Sequence, residues 1–227
     1  MSDHKFTPLS ALGDYIARSD DEMSARAAAY FDEIKRRHTV RDFTDQPVPR
    51  EVMENCIAAA ARAPSGANHQ PWFFALIGDA DVKRSIRQAA EEEERAFYGG
   101  RASEEWLDAL EPIGTNADKP FLETAPWLIA VFTQRRGGVA AGMDKKNYYI
   151  NESVGIACGF LIAGLHHAGL ALLTHTPNPM SFLSDKLGRP PSEKPYLLIV
   201  AGHPAPDADV PDHALIKKPL TDIMKVY

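Results

Sequence analysis

The chain has 227 residues, 44% of them hydrophobic, enough to bury one full-sized core without a second domain. A net charge of −6 and a pI near 5.7 imply no broad basic surface, which argues against a nucleic-acid partner. The two cysteines, Cys56 and Cys158, stand outside any C-x-x-C or Cys/His cluster; no metal site is supported, and both read as buried thiols in a reducing compartment.

The first twenty residues carry no apolar targeting segment and read as an arm leading into a helix over 23–37. A turn at Asp45-Gln46-Pro47 precedes a helix over 50–62. Segment 63–72, A-P-S-G-A-N-H-Q-P-W, crowds small residues, a turn-making proline and side-chain amides together. A backbone that must lie flat against a large hydrogen-bonding ligand needs such residues, although an ordinary helix-to-strand loop fits them too. A strand over 72–77 follows, and Asp79 or Asp81 caps a helix to about residue 97. Gly99-Gly100 end that helix, and a short helix near 103–110 leads to 116–120.

The apolar stretch 127–133 predicts a buried strand, followed by a loop with Gly137-Gly138 and Gly142. Helix 151–168 is apolar on nearly every side, and Gly155, Gly159 and Ala163 give it one smooth face for a second helix backbone. Such a helix must be buried all round. A second copy of the chain is the favoured partner, and burial within a single large core is the alternative. The longest apolar run, 154–165, is shorter than the roughly 18 residues of a membrane span, so the expectation is a soluble, cytoplasmic protein with no membrane partner. Strands at 170–174 and 196–202 flank a helix at 181–187, and the pair Lys217-Lys218 precedes a short tail. The alternation predicts an α+β fold, a mixed sheet with helices on both faces. Neither a G-x-G-x-x-G nor a P-loop fingerprint is present.

Three clusters carry possible chemistry. In R-R-H-T-V-R at 36–41, arginine forks and the Thr39 hydroxyl suit a phosphate, and Arg37 with Arg41 would clamp one anion if the helix continued through them. A solvated basic helix end is the plainer reading. The acidic run 91–94 is by default a solvated face for most of its members. Glu94 and Tyr98, however, share a helix face, and with Lys119 they would suit a zwitterion. Glu94 would take the ammonium, and Lys119 and Tyr98 the carboxylate. L-T-H-T-P at 173–177 sets hydroxyls and backbone N–H groups at a strand end. His175 there invites a general-base reading, but no Ser or Cys nucleophile is marked. His166-His167 lack the spacing of a zinc helix.

These motifs, with T-N-x-x-K at 115–119, N-E-S-V-G-I-A-C-G, L-G-R-P and K-K-P-L, resemble the flavin-dependent nitroreductase superfamily from about residue 34 to 224. Within it they are most similar to the iodotyrosine deiodinase branch, because Glu94, Tyr98 and Lys119 look like the lid that closes over a halogenated tyrosine. The resemblance implies a nitroreductase-like mixed sheet flanked by helices in an intertwined homodimer. It divides the chain into an arm and first helix at 1–30 and an FMN-binding domain at 31–227, with the lid at about 91–120. Each FMN site would be built from both protomers.

By the same resemblance, Arg37, His38, Thr39 and Arg41 hold the FMN phosphate and ribityl chain, joined on the phosphate by Lys217. Ser65 contacts the flavin from the partner chain. Thr174, His175 and Thr176 lie beside the isoalloxazine, Thr176 hydrogen-bonding N5 and favouring one-electron steps over hydride transfer. The Ala67 N–H meets the substrate phenolate. His38 and Lys217 stand where the superfamily often has arginine, and His175 where it often has threonine; Lys217 offers a point charge instead of a bidentate fork. The implied activity is reductive dehalogenation of halogenated tyrosine or a related small phenol, with electrons from NAD(P)H directly or through a reductase. A general NAD(P)H-dependent nitroreductase or quinone reductase is the alternative, and a flavin-sequestering or ligand-sensing protein without turnover a third reading.

Overall fold

A computed structural model describes residues 10–140 and 142–227. They divide into two units, one ending at Arg36 and one beginning at Arg37, which we describe separately. The first unit is built on α1 (Asp20–Ile34), where the Ser19 side chain accepts from the Glu22 N–H. Asp20, Asp21 and Glu22 face the positive end of the helix dipole, so the helix begins ahead of the expected position. It also stops short of Arg37. The anion clamp that a continuous helix would have made of Arg37 and Arg41 therefore does not form, because Thr39 bridges to a strand instead.

In the second unit, α2 (Arg50–Ala60) leads to β1 (Trp72–Ile77). Asp79 caps α3 (Ala80–Ala96) by accepting from the Asp81 and Val82 N–H groups at 3.0 and 2.9 Å. A π-helical turn over Phe97–Arg101, with Gly100 at φ 130°, ends α3. Ser103 caps α4 (Glu104–Leu110), and α5 (Phe121–Thr124) precedes β2 (Trp127–Gln134). A ribbon of β3 (Arg136–Gly137) and β4 (Lys145–Lys146) leads to α6 (Ile150–His167), β5 (Ala171–His175), α7 (Phe182–Lys186) and β6 (Glu193–Gly202). Two short helices, α8 (Asp212–Leu215) and α9 (Leu220–Ile223), follow.

The strands pair antiparallel in the order β1-β2-β6-β5, with one bulge between Val131 and Phe132. Thr39 adds a parallel bridge to Leu172 at the β5 edge, which makes the sheet mixed. Side chains alternate across it with the strand period of two. Ile129, Val131, Ile199, Ala201 and Leu172 pack with α2 and α6, whereas Leu128, Ala130, Phe132, Leu198 and Val200 pack with α3, α5 and α7. Covering both faces explains why the central strands read as continuous apolar runs, each buried Leu or Ile contributing roughly 1.5–3 kcal/mol.

Helix α6 is not covered all round within the chain. Val154, Ala157, Leu161 and Leu165 are buried, and Gly164 lies beside Cys56 of α2. Ile156, Gly159 and Phe160 face outward, Phe160 with 46% of its surface exposed. Burial within a single core is thereby ruled out for this helix. Among the described residues, no helix is long and apolar enough to cross a membrane.

Candidate functional site

The site begins with the segment after α1. The Val40 N–H donates to the Leu172 carbonyl at 3.1 Å, the Thr44 N–H to that of His203 at 3.0 Å, and the Ala205 N–H to that of Asp42 at 2.9 Å. These bonds carry Arg41, distant in sequence, to the end of β5 where Thr174, His175 and Thr176 stand. Across from them lie Glu94 on the last turn of α3, Tyr98 on the π turn, and Lys119 just before α5. Together these residues surround a cavity of about 240 Å³ with aromatic walls from Phe97, Trp106 and Phe121. A second cavity of about 350 Å³ shares Arg41, Thr115, Lys119 and Phe121 with it.

The Lys119 ammonium is nearly out of solvent and lies 3.3 Å from Glu94 Oε2. It also donates to Thr115 Oγ1 at 3.1 Å and to the Asn116 carbonyl, and sits 5.9 Å from the centre of the Tyr98 ring. Burial lowers the Lys119 pKa, with the Glu94 charge opposing that effect. Burial raises the Tyr98 phenol, against a hydrogen bond with Thr115. Lys119 is held from behind as well, since its backbone N–H donates to Glu91 Oε1 at 2.9 Å. Burial works to raise the Glu91 carboxyl, but the Arg87 hydrogen bond and the Lys119 N–H outweigh it and hold the pKa below its ordinary value. The acidic run is therefore not a uniformly solvated face: Glu91, Glu93 and Glu94 are each engaged by a basic side chain and half-buried, and Glu92 is the exposed one of the four. Glu91 pairs with Arg87 one helical turn away, whereas the partners of Glu93 and Glu94, Arg101 and Lys119, lie beyond the helix, where helical spacing does not reveal them.

His175 is buried, edge-on to Phe121 with ring centres 5.8 Å apart, and its Nε2 has no hydrogen-bond partner. Burial, with Lys119 and Arg41 nearby, pushes its pKa down to about 3. The imidazole is neutral at physiological pH and too weak a base to serve as a general base, so it offers hydrogen bonding instead.

Segment 63–72 is built differently from a plain loop. Ala67 (φ 52°, ψ 23°), Asn68 and Gln70 all adopt positive φ, a left-handed backbone that costs a non-glycine residue about 1–3 kcal/mol. Bonds to side chains help to hold it there. The Gln70 N–H donates to Ser65 Oγ at 2.9 Å, the Gly66 N–H to Ser153 Oγ at 3.3 Å, and His69 Nδ1 lies 3.0 Å from Asn147 Oδ1. One of the small residues has an internal reason: a Cβ on Gly66 would lie 2.5 Å from the Tyr148 carbonyl oxygen. Its size answers to packing within the chain.

Of the residues singled out in the sequence, Arg41, Glu94, Tyr98, Lys119, Thr174, His175 and Thr176 meet at one cavity. Ser65 and Ala67 do not line it, nor do Arg37, His38 and Thr39. Lys217 is exposed, with its ammonium donating to the Ala214 carbonyl. The aromatic walls, Phe97, Trp106 and Phe121, were missed, because aromatic residues inside helical patterns read as core. Phe97 and Trp106 pack edge to face with ring centres 4.9 Å apart.

A sheet covered on both faces, with a ligand-sized cavity at the end of one edge strand, is an enzyme architecture shared by many chains. Residues 34–203 match the Nitroreductase family, and the chain belongs to it. Among its relatives, the iodotyrosine deiodinase of Haliscomenobacter hydrossis is 50% identical over 207 residues, covering 91% of this chain and 92% of that protein. Iodotyrosine deiodinase 1 of Homo sapiens is 43% identical over 206 residues, 90% of this chain and 71% of that protein. A crystal structure of oxidised iodotyrosine deiodinase bound to FMN and 3-iodo-L-tyrosine aligns with a TM-score of 0.68 at 31% identity, covering 78% of this chain and 90% of that one. A nitroreductase with bound FMN from Bacteroides fragilis NCTC 9343 has a TM-score of 0.62 at 16% identity, over 87% of this chain and 98% of that one, and shares the fold.

Proposed function

We propose that this flavin-dependent oxidoreductase uses FMN to remove halogen reductively from halogenated tyrosine. The observation that carries the reading is the buried Glu94–Lys119 pair beside Tyr98, at the wall of the cavity. An amino-acid zwitterion entering there exchanges one pairing for two. Its ammonium meets Glu94 and its carboxylate meets Lys119 and Tyr98, so no buried charge is left alone. A nitroaromatic brings no such charges, which favours the dehalogenase over a general nitroreductase or quinone reductase.

FMN supplies the electrons, which no side chain can provide. The residues suit it: Arg41 with the Thr174 and Thr176 hydroxyls offers donors at the strand end, and the unpartnered Nε2 of His175 awaits a polar group. In this reading Thr176 hydrogen-bonds flavin N5, and Arg37, His38, Thr39, Arg41 and Lys217 serve the phosphate and ribityl chain. The substrate ring stacks on the flavin, and the Ala67 N–H, on a left-handed backbone, stabilises the phenolate as an oxyanion donor does. Closing the segment 91–120 over the ring excludes water and strengthens the remaining polar contacts.

The working unit in this proposal is a homodimer. Ile156, Gly159 and Phe160 leave an uncovered strip on α6, and the tail exposes Ile216, Leu220, Ile223 and Val226. Ser65 and Ala67 lie away from the cavity of their own chain, so they would complete the site of a second copy.

The test is titration of the FMN-loaded protein with 3-iodo-L-tyrosine, followed by flavin fluorescence, in the native chain and in Glu94→Gln and Lys119→Ala. Binding markedly weakened in both variants supports the clamp, and unchanged binding overturns it. Turnover of mono-halotyrosines against a nitroaromatic, with dithionite as reductant, separates the two oxidoreductase readings. A yellow protein that turns over neither is a flavin-holding sensor.

A further inference from the structure

The turn that ends α3 has no side chain at Gly99 and Gly100 to anchor it. A Cβ on Gly99 or Gly100 would meet nothing within 4 Å, and Gly100 adopts φ 130°, which strains any other residue. Directly after this glycine pair, Arg101 reaches in two directions. Its Nη1 donates to Glu93 Oε2 at 3.0 Å, and its Nη2 donates both to the Glu93 carbonyl at 2.9 Å and to the Asn178 carbonyl. Glu93 precedes Glu94 on α3, whereas Asn178 follows Thr176-Pro177 and lines the same cavity. One planar guanidinium thus joins the turn carrying Glu94 and Tyr98 to the segment carrying Thr176. Arginine suits the task, because its rigid fork satisfies several acceptors at once where lysine presents a point charge.

We propose that Arg101 is a positioning residue, a latch that docks the segment bearing Glu94 and Tyr98 against the end of β5 and so sets affinity for the amino-acid end of the substrate. The proposal rests on the halotyrosine reading above. Partial exposure of the guanidinium is part of the device. Its donors exchange their protein acceptors for water at small net cost, so the latch releases when ligand must enter or leave. Two of its three acceptors are backbone carbonyls, so the latch senses chiefly where the segments lie, and the Glu93 carboxylate is the one side chain it reads. Arg101 touches none of the reacting groups and acts through Glu94 and Tyr98.

The experiment compares the FMN-loaded native protein with Arg101→Ala, Arg101→Lys, Glu94→Gln and the Arg101→Ala/Glu94→Gln double variant. Without halotyrosine, backbone amides of residues 97–110 exchange hydrogen faster in Arg101→Ala, while those of β2 and β6 are unchanged; Arg101→Lys falls between. With 3-iodo-L-tyrosine, Arg101→Ala raises Kd about tenfold, the scale of one charge-assisted hydrogen bond. In the Glu94→Gln background the same change adds little, because the clamp it positions is already broken. Unaltered exchange in residues 97–110, or losses that simply add, overturn the latch. A native protein that ignores 3-iodo-L-tyrosine overturns the functional reading and the substrate half of the proposal, while the exchange measurement still decides whether Arg101 holds the segment down.

Discussion

Lys119 Nζ lies 3.3 Å from Glu94 Oε2, with the two side chains only 3% and 13% exposed. The pair closes a gap of 25 residues between the end of α3 and the start of α5, so it shapes the cavity even before a ligand arrives. Replacing one member leaves the other charge buried. Glu94→Gln should destabilise the fold by about 3 kcal/mol, the low end for a broken buried pair, because Thr115 and Asn116 still accept from Lys119. The double variant Glu94→Leu/Lys119→Met should recover most of that loss while abolishing zwitterion binding. Urea denaturation monitored by circular dichroism measures both; equal losses in the single and double variants would refute the pairing argument.

His175 makes the stability of the fold depend on acid. Its folded pKa, about 3, lies below the ordinary value of 6.5, so between these limits the unfolded chain binds a proton that the native state does not. Stability is unaffected above pH 6.5 and falls at up to about 1.4 kcal/mol per pH unit as pH drops toward 3. From pH 7.5 to 5 the expected loss from this residue is about 2 kcal/mol. His175→Thr, which has no titrating group there, should lose correspondingly less over the same interval. Parallel pH profiles for the two proteins would show that the imidazole is not buried in solution.

Gly66→Ala tests the loop. Its new Cβ would lie 2.5 Å from the Tyr148 carbonyl oxygen, a backbone atom that cannot swing aside. The expected cost is about 1–3 kcal/mol, as for other overpacked sites. The shift should also turn the Ala67 N–H, weakening phenolate binding more than flavin binding. Comparing Kd values for 3-iodo-L-tyrosine and FMN in the variant separates the two effects.

The thiols offer a check on core packing. Burial raises both cysteines, Cys158 to about 12, so neither is a thiolate near neutrality. Neither Cys56 nor Cys158 should react with Ellman's reagent at pH 8 in the native state, and both should react at once in denaturant. Fast native labelling would mean that α2 and α6 part readily.

Much of the fold was legible because the relevant physics is local. Alternation and apolar runs placed every strand of the main sheet to within a few residues, and the Asp79 and Ser103 caps mark helix starts that side-chain chemistry dictates. The four-residue spacing of Glu94 and Tyr98 put them on one helix face, whereas the bond from Lys119 to Thr115, in a segment without helix, was not legible. The early end of α1 was not legible, because segment 39–43 is held by bonds to β5 and the stretch after β6, far along the chain. Nor was the bond from the Lys119 N–H to Glu91, or the reach of Arg101 back to Glu93 across the glycine turn, although Arg87 and Glu91 keep ordinary helical spacing.

The sequence by itself determined which residues are available: the basic run 36–41, Glu94, Tyr98 and Lys119, the hydroxyls after β5 and the tight segment 63–72. The tertiary structure alone decided which of them meet. Adding segment 39–43 to the sheet edge delivers Arg41 to Thr174 but leaves Arg37 outside the cavity, and the segment holding Ser65 and Ala67 is bonded to α6 through Gly66, apart from the cavity lining. Spacing along a chain constrains neighbours within a turn or a strand. Contacts between distant segments follow from how sheet edges are completed and faces are covered, and those are properties of the whole fold.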